Sequence, residues 1–435
     1  MILIAGGGIA GLTLALGCHQ AGIPCRVFER GAEIRPLGVG INVQPHAVRE
    51  LYDLGLEHEL EALGVRTREV AYFSKTGRLI WSEPRGVHAG YRWPQYSLHR
   101  GGLQMMLFGA VRERLGDAAV LTGRTLASFR QHADGVEAIV ARADGTSERH
   151  HGTLLIAADG IHSHARAVFY PDEGPPKWGG AILWRGTARQ APYLTGATMA
   201  MAGHEFQKFV TYPIGKADPE TGEALINVIA ELKVDPSAGW RREDYNRRGI
   251  LSEFLPAFEP WVFDWLDVPA LIRATDPIFE YPMVDRDPLP RWTHGRVTLM
   301  GDAAHPMYPI GSNGASQAIV DARVLVRELV AHGLSVEALE AYETERREAT
   351  SRIVTANRGN GPDAVMQTVE ERCGGEFDDI DDVLSPAERV EIAASYKRLA
   401  GFDVEALNAR PPTVDPAQAA AARETWNDAH RRQGA

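Results

Sequence analysis

The stretch Ile2-Leu3-Ile4-Ala5-Gly6-Gly7-Gly8-Ile9-Ala10-Gly11, followed by an apolar run to Cys18, decides the fold of this chain. Four apolar residues spell a buried strand, and the glycines at 6, 8 and 11 mark a turn that opens into a helix. A second short run, Cys25 to Phe28, ends at Glu29 and Arg30. Strand, glycine turn, helix, strand and acid, in that order, form a dinucleotide-binding unit. Gly6 permits the tight turn, Gly8 lets the backbone approach a pyrophosphate, and Gly11 lets helix and strand pack closely. The helix N-terminus offers unpaired N–H groups and partial positive charge to phosphates. Glu29 is placed to accept hydrogen bonds from a ribose.

Working outward, 435 residues exceed one ordinary domain, and 44% apolar residues suffice for sizeable cores. A net charge of −11 argues against nucleic acid as the main partner, because phosphate contacts need a basic surface. Cys18, Cys25 and Cys373 supply neither a disulfide framework nor an obvious metal site. Residues 1–18 carry no charged side chain, yet no basic segment precedes them and their glycines serve a turn better than a membrane span. A cytoplasmic protein with no membrane partner is expected.

A helix is expected after Pro45, through Ala47-Val48 to Leu60, and a hairpin over 70–81 around Thr76-Gly77. Residues 101–115 read as an amphipathic helix ending near Gly116. Two strand-like runs flank Asp144-Gly145 within 136–157, the second running from Thr153 to Ala158. From about 178 to 274 the pattern changes to strands rich in Trp, Phe and Tyr, which suggests a separate sheet. Trp261 and Trp265 read as one face of a helix in that core. Helices are expected at 314–331 and 336–356, and the remainder is polar and helix-prone.

Two further strand ends match the first in kind. Leu154-Leu155-Ile156-Ala157-Ala158 runs into Asp159-Gly160, and Val297-Thr298-Leu299-Met300 runs into Gly301-Asp302. Asp302 is placed to hydrogen-bond a ribityl chain. Either Asp taken alone reads as a turn former or helix cap; three such strand ends in this order point to a nucleotide.

These three elements resemble the glycine, Asp-Gly and Gly-Asp motifs of the single-component FAD-dependent aromatic hydroxylases of the para-hydroxybenzoate hydroxylase type. The segments IRPLGVGIN (34–42), WSEPRGV (81–87), YPMVDRDPLP (281–290) and NGASQAI (313–319) are similar to the phenazine hydroxylases within that family. The likeness spans about residues 1–358. It implies an α/β, Rossmann-like FAD domain assembled from 1–70, 100–170 and 275–345, a β-rich substrate domain from 71–99 and 171–274, and a helical C-terminal region, 346–435. It implies a reaction in which NADH or NADPH, bound transiently, reduces FAD. A flavin C4a-hydroperoxide formed with O2 then hydroxylates an aromatic or N-heteroaromatic small molecule, with loss of a carboxylate an open alternative. A monomer or homodimer is expected.

The resemblance also assigns residues. Ala10, Arg30 and Gly40 join Gly6, Gly8, Gly11 and Glu29 in the FAD site, with Asp159, Gly160, Asp302 and Pro309. Arg100 looks like the family arginine that neutralises pyrophosphate charge, against a surface salt bridge as the plainer reading. Gly311, Asn313 and Gly314 open a helix whose N-terminus would face the flavin and stabilise an anion there. Arg185, Lys208, Tyr212, Tyr308 and Pro309 are the substrate candidates, and no catalytic side chain is assigned. Lys208 stands where related hydroxylases have a histidine that assists phenol deprotonation. A lysine, protonated at neutral pH, would hold a substrate anion instead, against solvent exposure at a strand edge as the plainer reading. No second glycine fingerprint follows a strand, so no stable NAD(P)H domain is expected. His162 and His164 lack a third clustered ligand, so no metal is expected. Another kind of flavin oxidoreductase, an epoxidase or isoprenoid-ring reductase, and a non-enzymatic nucleotide sensor remain open at this point.

Overall fold

In the computed structural model, Ile2–Ala5 is the wholly buried centre of a six-stranded sheet. It pairs in parallel with Cys25–Glu29 on one side and with Leu154–Ala157 on the other. Val297–Leu299 continues the parallel set beyond Leu154–Ala157, and Val120–Thr122 beyond Cys25–Glu29. Thr293–His294 closes the far edge as an antiparallel hairpin strand. Residues 1–36, 38–235, 247–359, 361–400 and 403–433 are described; Leu37 of the first resemblance segment and 236–246 of the expected aromatic-rich region lie outside them.

Side chains of a strand alternate between faces, and Ile2–Ala5 shows this directly. Ile2 and Ile4 join the core made with the helices Ile9–Gln20, Arg100–Leu115 and Gly314–His332. Leu3 and Ala5 face the other way, onto Leu126, Val136, Ala138 and Val140 of a three-stranded antiparallel sheet. Such two-sided burial is why this strand is apolar throughout.

The second large sheet has seven strands, in the order Ile278–Asp285, Lys177–Gln190, Ala224–Lys233, Gln207–Pro213, Thr198–His204, Glu69–Phe73 and Leu79–Pro84. One face packs Trp184, Phe209 and Val228 onto an aromatic layer with Phe254, Phe258 and Trp261. The opposite face carries Leu183, Met199, Met201, Val210, Tyr212 and Ile229. A small sheet, Gly40–Val43 with Tyr96–His99 and Val65–Arg66, touches the seven-stranded sheet and the helix Gly314–His332.

Several expectations shift. The helix after Pro45 is two helices, Pro45–Asp53 and Glu57–Leu63, because Gly55 turns left-handed at φ +70°. The 136–157 region holds three strands, since Ser147–Gly152 returns from the Asp144-Gly145 turn before Leu154–Ala157 begins. Trp261 is a core residue and Trp265 packs partly buried against the same core, but they stand before and within the turn of a two-stranded ribbon, Val262–Phe263 with Leu266–Asp267, not on a helix face. Ile278–Asp285, expected on the FAD side of a boundary at 275, pairs with Lys177–Gln190 in the seven-stranded sheet. Tyr96–His99 pairs with Gly40–Val43 and not with a strand of the seven-stranded sheet.

The boundary at 345/346 cuts through the helix Val336–Asn357. Beyond it, the helices Ala364–Cys373, Pro386–Ala400, Val404–Ala409 and Pro416–Gln433 wrap both halves. Lys75 pairs with Glu370 at 2.6 Å, Arg389 donates to the Ile80 carbonyl at 3.0 Å, and Thr413 donates to Glu50 at 2.6 Å.

Candidate active site

The ends of three parallel strands meet at one crevice, where open α/β sheets place their ligands. Gly8, Ile9 and Ala10 follow the first strand, Ala158 and Gly160 the second, and Asp302 the third. With Arg100, Gly40–Asn42, Pro309 and Ser312–Ala315 they form one side of a cleft of about 330 Å³. The seven-stranded sheet supplies the other side, from Leu183 and Arg185 to Tyr212 and Ile229.

The glycines of the first turn serve different ends. A Cβ on Gly6 would collide with the Ala158 carbonyl, and one on Gly11 with the Gly6 carbonyl, so both are fixed by packing. A Cβ on Gly8 would meet nothing within 4 Å; it would point into open space at the start of the helix Ile9–Gln20. That is the room a pyrophosphate needs in order to reach the helix N–H groups. Glu29 accepts from the amides of Gly7 at 2.8 Å and Gly31 at 2.7 Å, and its oxygens keep acceptor capacity for a ribose. Arg30 is exposed and Arg100 is exposed at the cleft edge; neither has an ion pair among the described residues.

Asp159 behaves otherwise. Its Oδ2 accepts from the amide of His164 at 2.8 Å, and burial pushes its carboxyl above the ordinary range. It holds the turn while Gly160 lines the cleft, so the plainer reading describes its contact. Asp302 is exposed in the cleft, as a ribityl acceptor must be.

A buried network behind Asp302 was missed in the sequence. Asp321 accepts from the Gly301 amide at 3.1 Å, lies 2.5 Å from His305 Nε2, and accepts from Arg346 at 2.8 Å. Burial alone would raise its carboxyl, but attraction and hydrogen bonds from His305 and Arg346 bring it down to about 2. The available signal was an acid inside the apolar run Ala318-Ile319-Val320-Asp321-Ala322, since buried carboxylates are paired. Gly311 and Ser312, at φ +69° and +54°, turn the chain into Asn313 and the helix beginning at Gly314. Ser312 carries the backbone strain of a left-handed non-glycine residue, on the order of 1 kcal/mol.

On the sheet side, Arg185 donates from Nη2 to the Gly40 carbonyl at 3.0 Å. Its Nε has no partner and no carboxylate pairs with it among the described residues. Burial draws the guanidinium below its ordinary range, while Tyr212 and Tyr281 act in the opposite sense. The Tyr212 phenol is pushed up to about 12 by burial, against the pull of Arg185, so it stays a neutral hydroxyl at physiological pH. Gly40 itself donates to Asn227 Oδ1 at 2.7 Å, at a spot where a Cβ would strike the Asn227 side chain.

Lys208 corrects both of its readings. It sits on an interior strand, buried, with its ammonium 2.8 Å from Asp363 and 3.4 Å from Glu231. Burial would lower its pKa, but the two carboxylates hold it above the ordinary lysine range. Its charge is therefore already answered, and it is not free to hold a substrate anion. Tyr308 does not line the main cleft; it lines a second cavity of about 270 Å³ behind Lys208, whereas Pro309 faces the cleft.

The crevice and glycine turn define a dinucleotide site facing an apolar sheet, an arrangement shared with the flavin-dependent hydroxylases. The chain belongs to the FAD-binding-domain family of these enzymes, whose model matches residues 1–173 and 283–357. It is 45% identical to the phenazine 1,6-dicarboxylic acid hydroxylase of Lysobacter antibioticus, over 82% of this chain and 89% of that one. It is 30% identical to the 6-hydroxynicotinate 3-monooxygenase of Pseudomonas fluorescens, over 82% and 90%. A salicylate hydroxylase substrate complex shares the fold at TM-score 0.70 and 23% identity, with 97% of each chain covered. The chain is thus an FAD-dependent, NAD(P)H-using aromatic hydroxylase. The room above Gly8, the exposed Asp302 and the helix N-terminus at Gly314 fit FAD, which supplies the redox and oxygen-transfer chemistry when bound. Among the described residues no helix is long and apolar enough to cross a membrane.

Proposed function

We propose that this enzyme hydroxylates a carboxylated aromatic or N-heteroaromatic ring, with Arg185 holding the substrate carboxylate. One observation carries the reading: Arg185 is the cation on the cleft-facing side of the seven-stranded sheet that no carboxylate answers among the described residues. A desolvated guanidinium gains most from a bidentate carboxylate. Tyr212, two strands away on the same face, offers a neutral hydroxyl to a ring substituent. Leu183, Met199, Met201, Val210 and Ile229 supply an apolar bed that excludes water from the ring. The N-terminus of the helix at Gly314 stabilises negative charge on the opposite side. The names of the relatives support the acid class: phenazine dicarboxylic acid, aminohydroxybenzoate, hydroxynicotinate and hydroxybenzoate.

In this reading the FAD site is formed by Gly8, Ala10, Glu29, Arg30, Gly40, Arg100, Gly160, Asp302, Pro309, Gly311, Asn313 and Gly314, with Gly6 and Gly11 shaping the turn beneath it and Asp159 holding the turn at Gly160. O2 is the co-substrate, and the protein works in the cytoplasm, where NAD(P)H is available and free thiols persist. Arg185→Met tests the carboxylate role: it should raise KM for aromatic acids about tenfold or more and leave their neutral amides within about threefold. Equal effects on acid and amide sink the role. Stimulated NADH oxidation with product mass identifies the substrate and tells gain of one oxygen from oxygenation with loss of carbon dioxide.

A further inference from the structure

The main cleft and the second cavity share Lys208, Glu231, Met283, Ile310 and Asp363 in their walls. Lys208 and Glu231 stand directly opposite each other on neighbouring strands, on the face that carries Arg185. Asp363 arrives from outside the sheet, on the short turn Gly361–Asp363 of the C-terminal region, and meets Lys208 at 2.8 Å. Both side chains of that pair are 7% exposed. The second cavity behind them opens past Lys177 and Arg358, whose side chains are 60% and 32% exposed.

We propose that the Lys208–Asp363 pair, seated on Glu231 and Met283, is the end wall of the substrate cavity and sets the length of aromatic acid this enzyme accepts. Three arguments lead there. First, the wall is thin, because the same five residues face both spaces. Second, the space behind it, about 270 Å³ and lined by Ala181, Tyr308 and Met366 beside charged groups, exceeds the roughly 150 Å³ that holds benzene in an apolar cavity. Third, a buried ion pair is a poor device for stability, since apolar residues of equal volume serve as well or better. Asp363 Oδ1, buried without a hydrogen bond among the described residues, shows that the pair is not optimised for stability. With the carboxylate held at Arg185, one strand over and two residues along from Glu231, a ring lying on the sheet runs toward this wall. That orientation rests on the Arg185 reading given above.

The test measures dissociation constants by the flavin absorbance change of the holoenzyme, using 4-hydroxybenzoate, 6-hydroxy-2-naphthoate and 4′-hydroxybiphenyl-4-carboxylate. Lys208→Ala/Asp363→Ala removes the wall. Lys208→Met/Asp363→Asn removes the charges and keeps the volume. The first should improve binding of the biphenyl acid relative to the one-ring acid about tenfold or more, and the second should keep the wild-type ratio. Met283→Ala, which thins the wall without touching a charge, should shift the ratio the same way, so the idea survives a poorly folding double variant. A ratio that moves in neither the wall-removing variant nor Met283→Ala overturns the inference, as does an equal shift in the volume-keeping pair. Arg185→Met separates the two readings: if it leaves all three acids bound as before, the carboxylate role fails while the wall is still read from the ratio. Failure of every acid to bind any variant overturns both.

Discussion

The imidazole of His305 lies 2.5 Å from the carboxylate of Asp321, and that carboxylate also accepts from the Gly301 amide. A helix in the core thereby fixes the turn that presents Asp302 to the cleft. Asp321→Asn should weaken FAD binding about ten- to a hundredfold, the worth of one charge-assisted hydrogen bond. Asp321 does not line the cleft, so a merely destabilised protein would lose thermal stability with an unchanged FAD dissociation constant. Fluorescence titration of the apoprotein distinguishes the two.

Gly8→Val and Gly11→Val should behave oppositely. Gly8 has φ −79° and ψ −174°, ordinary extended backbone, and open space where its side chain would go. That variant should fold as a colourless protein with a thermal midpoint near that of wild-type apoprotein. At Gly11 a side chain would strike the Gly6 carbonyl, so Gly11→Val should fail to give soluble folded protein. A yellow Gly8→Val protein after gel filtration contradicts the pyrophosphate assignment.

Acid sensitivity should trace to His46. Burial, with Arg346 and Arg410 adding to it, lowers its pKa to about 3. Arg346 donates to Gln317 Oε1, which leaves the Gln317 amide nitrogen to donate to His46 Nε2 at 3.4 Å, and only an unprotonated nitrogen accepts. The unfolded chain takes up a proton near the ordinary value of about 6.5, while the folded protein does so only near 3. Stability therefore falls as pH drops from about 6.5 toward 3, by as much as about 1.4 kcal/mol per pH unit. In His46→Gln, the decline between about pH 6 and pH 4 should be visibly shallower in denaturant titrations. Parallel curves for the two proteins count against it.

Arg358 clamps Asp285 through two hydrogen bonds, 2.7 and 3.0 Å, and reaches Asp287 at 2.8 Å. Asp285 is fully buried at the end of an edge strand. Arg358→Ala should cost about 3 kcal/mol or more, because it strands a buried carboxylate. Adding Asp285→Asn should return part of that loss. A double variant no better than the single one removes the clamp from the account.

The parts of this fold that depend on neighbours in sequence were legible. The strand, glycine turn and helix at 2–20, the hairpin around Thr76-Gly77 and the helix from Arg100 follow from local pattern alone. What escaped is what depends on distant partners. The reading of Lys208 turned on Asp363, brought in by a turn far along the chain. Asp159 and Asp302 look alike as strand-end acids, yet the amide of His164 takes one oxygen of the first and solvent reaches the second. Nothing local in Ile278–Asp285 names its sheet, and only its pairing with Lys177–Gln190 decides it.

The alternation of the seven-stranded sheet divides labour between inheritance and appetite. Residues such as Trp184, Phe209 and Val228 point into the aromatic layer, and their neighbours Arg185, Val210 and Ile229 point at the cleft. A lineage can therefore change its diet one residue at a time on one side of these strands, while the residues between them keep the scaffold standing.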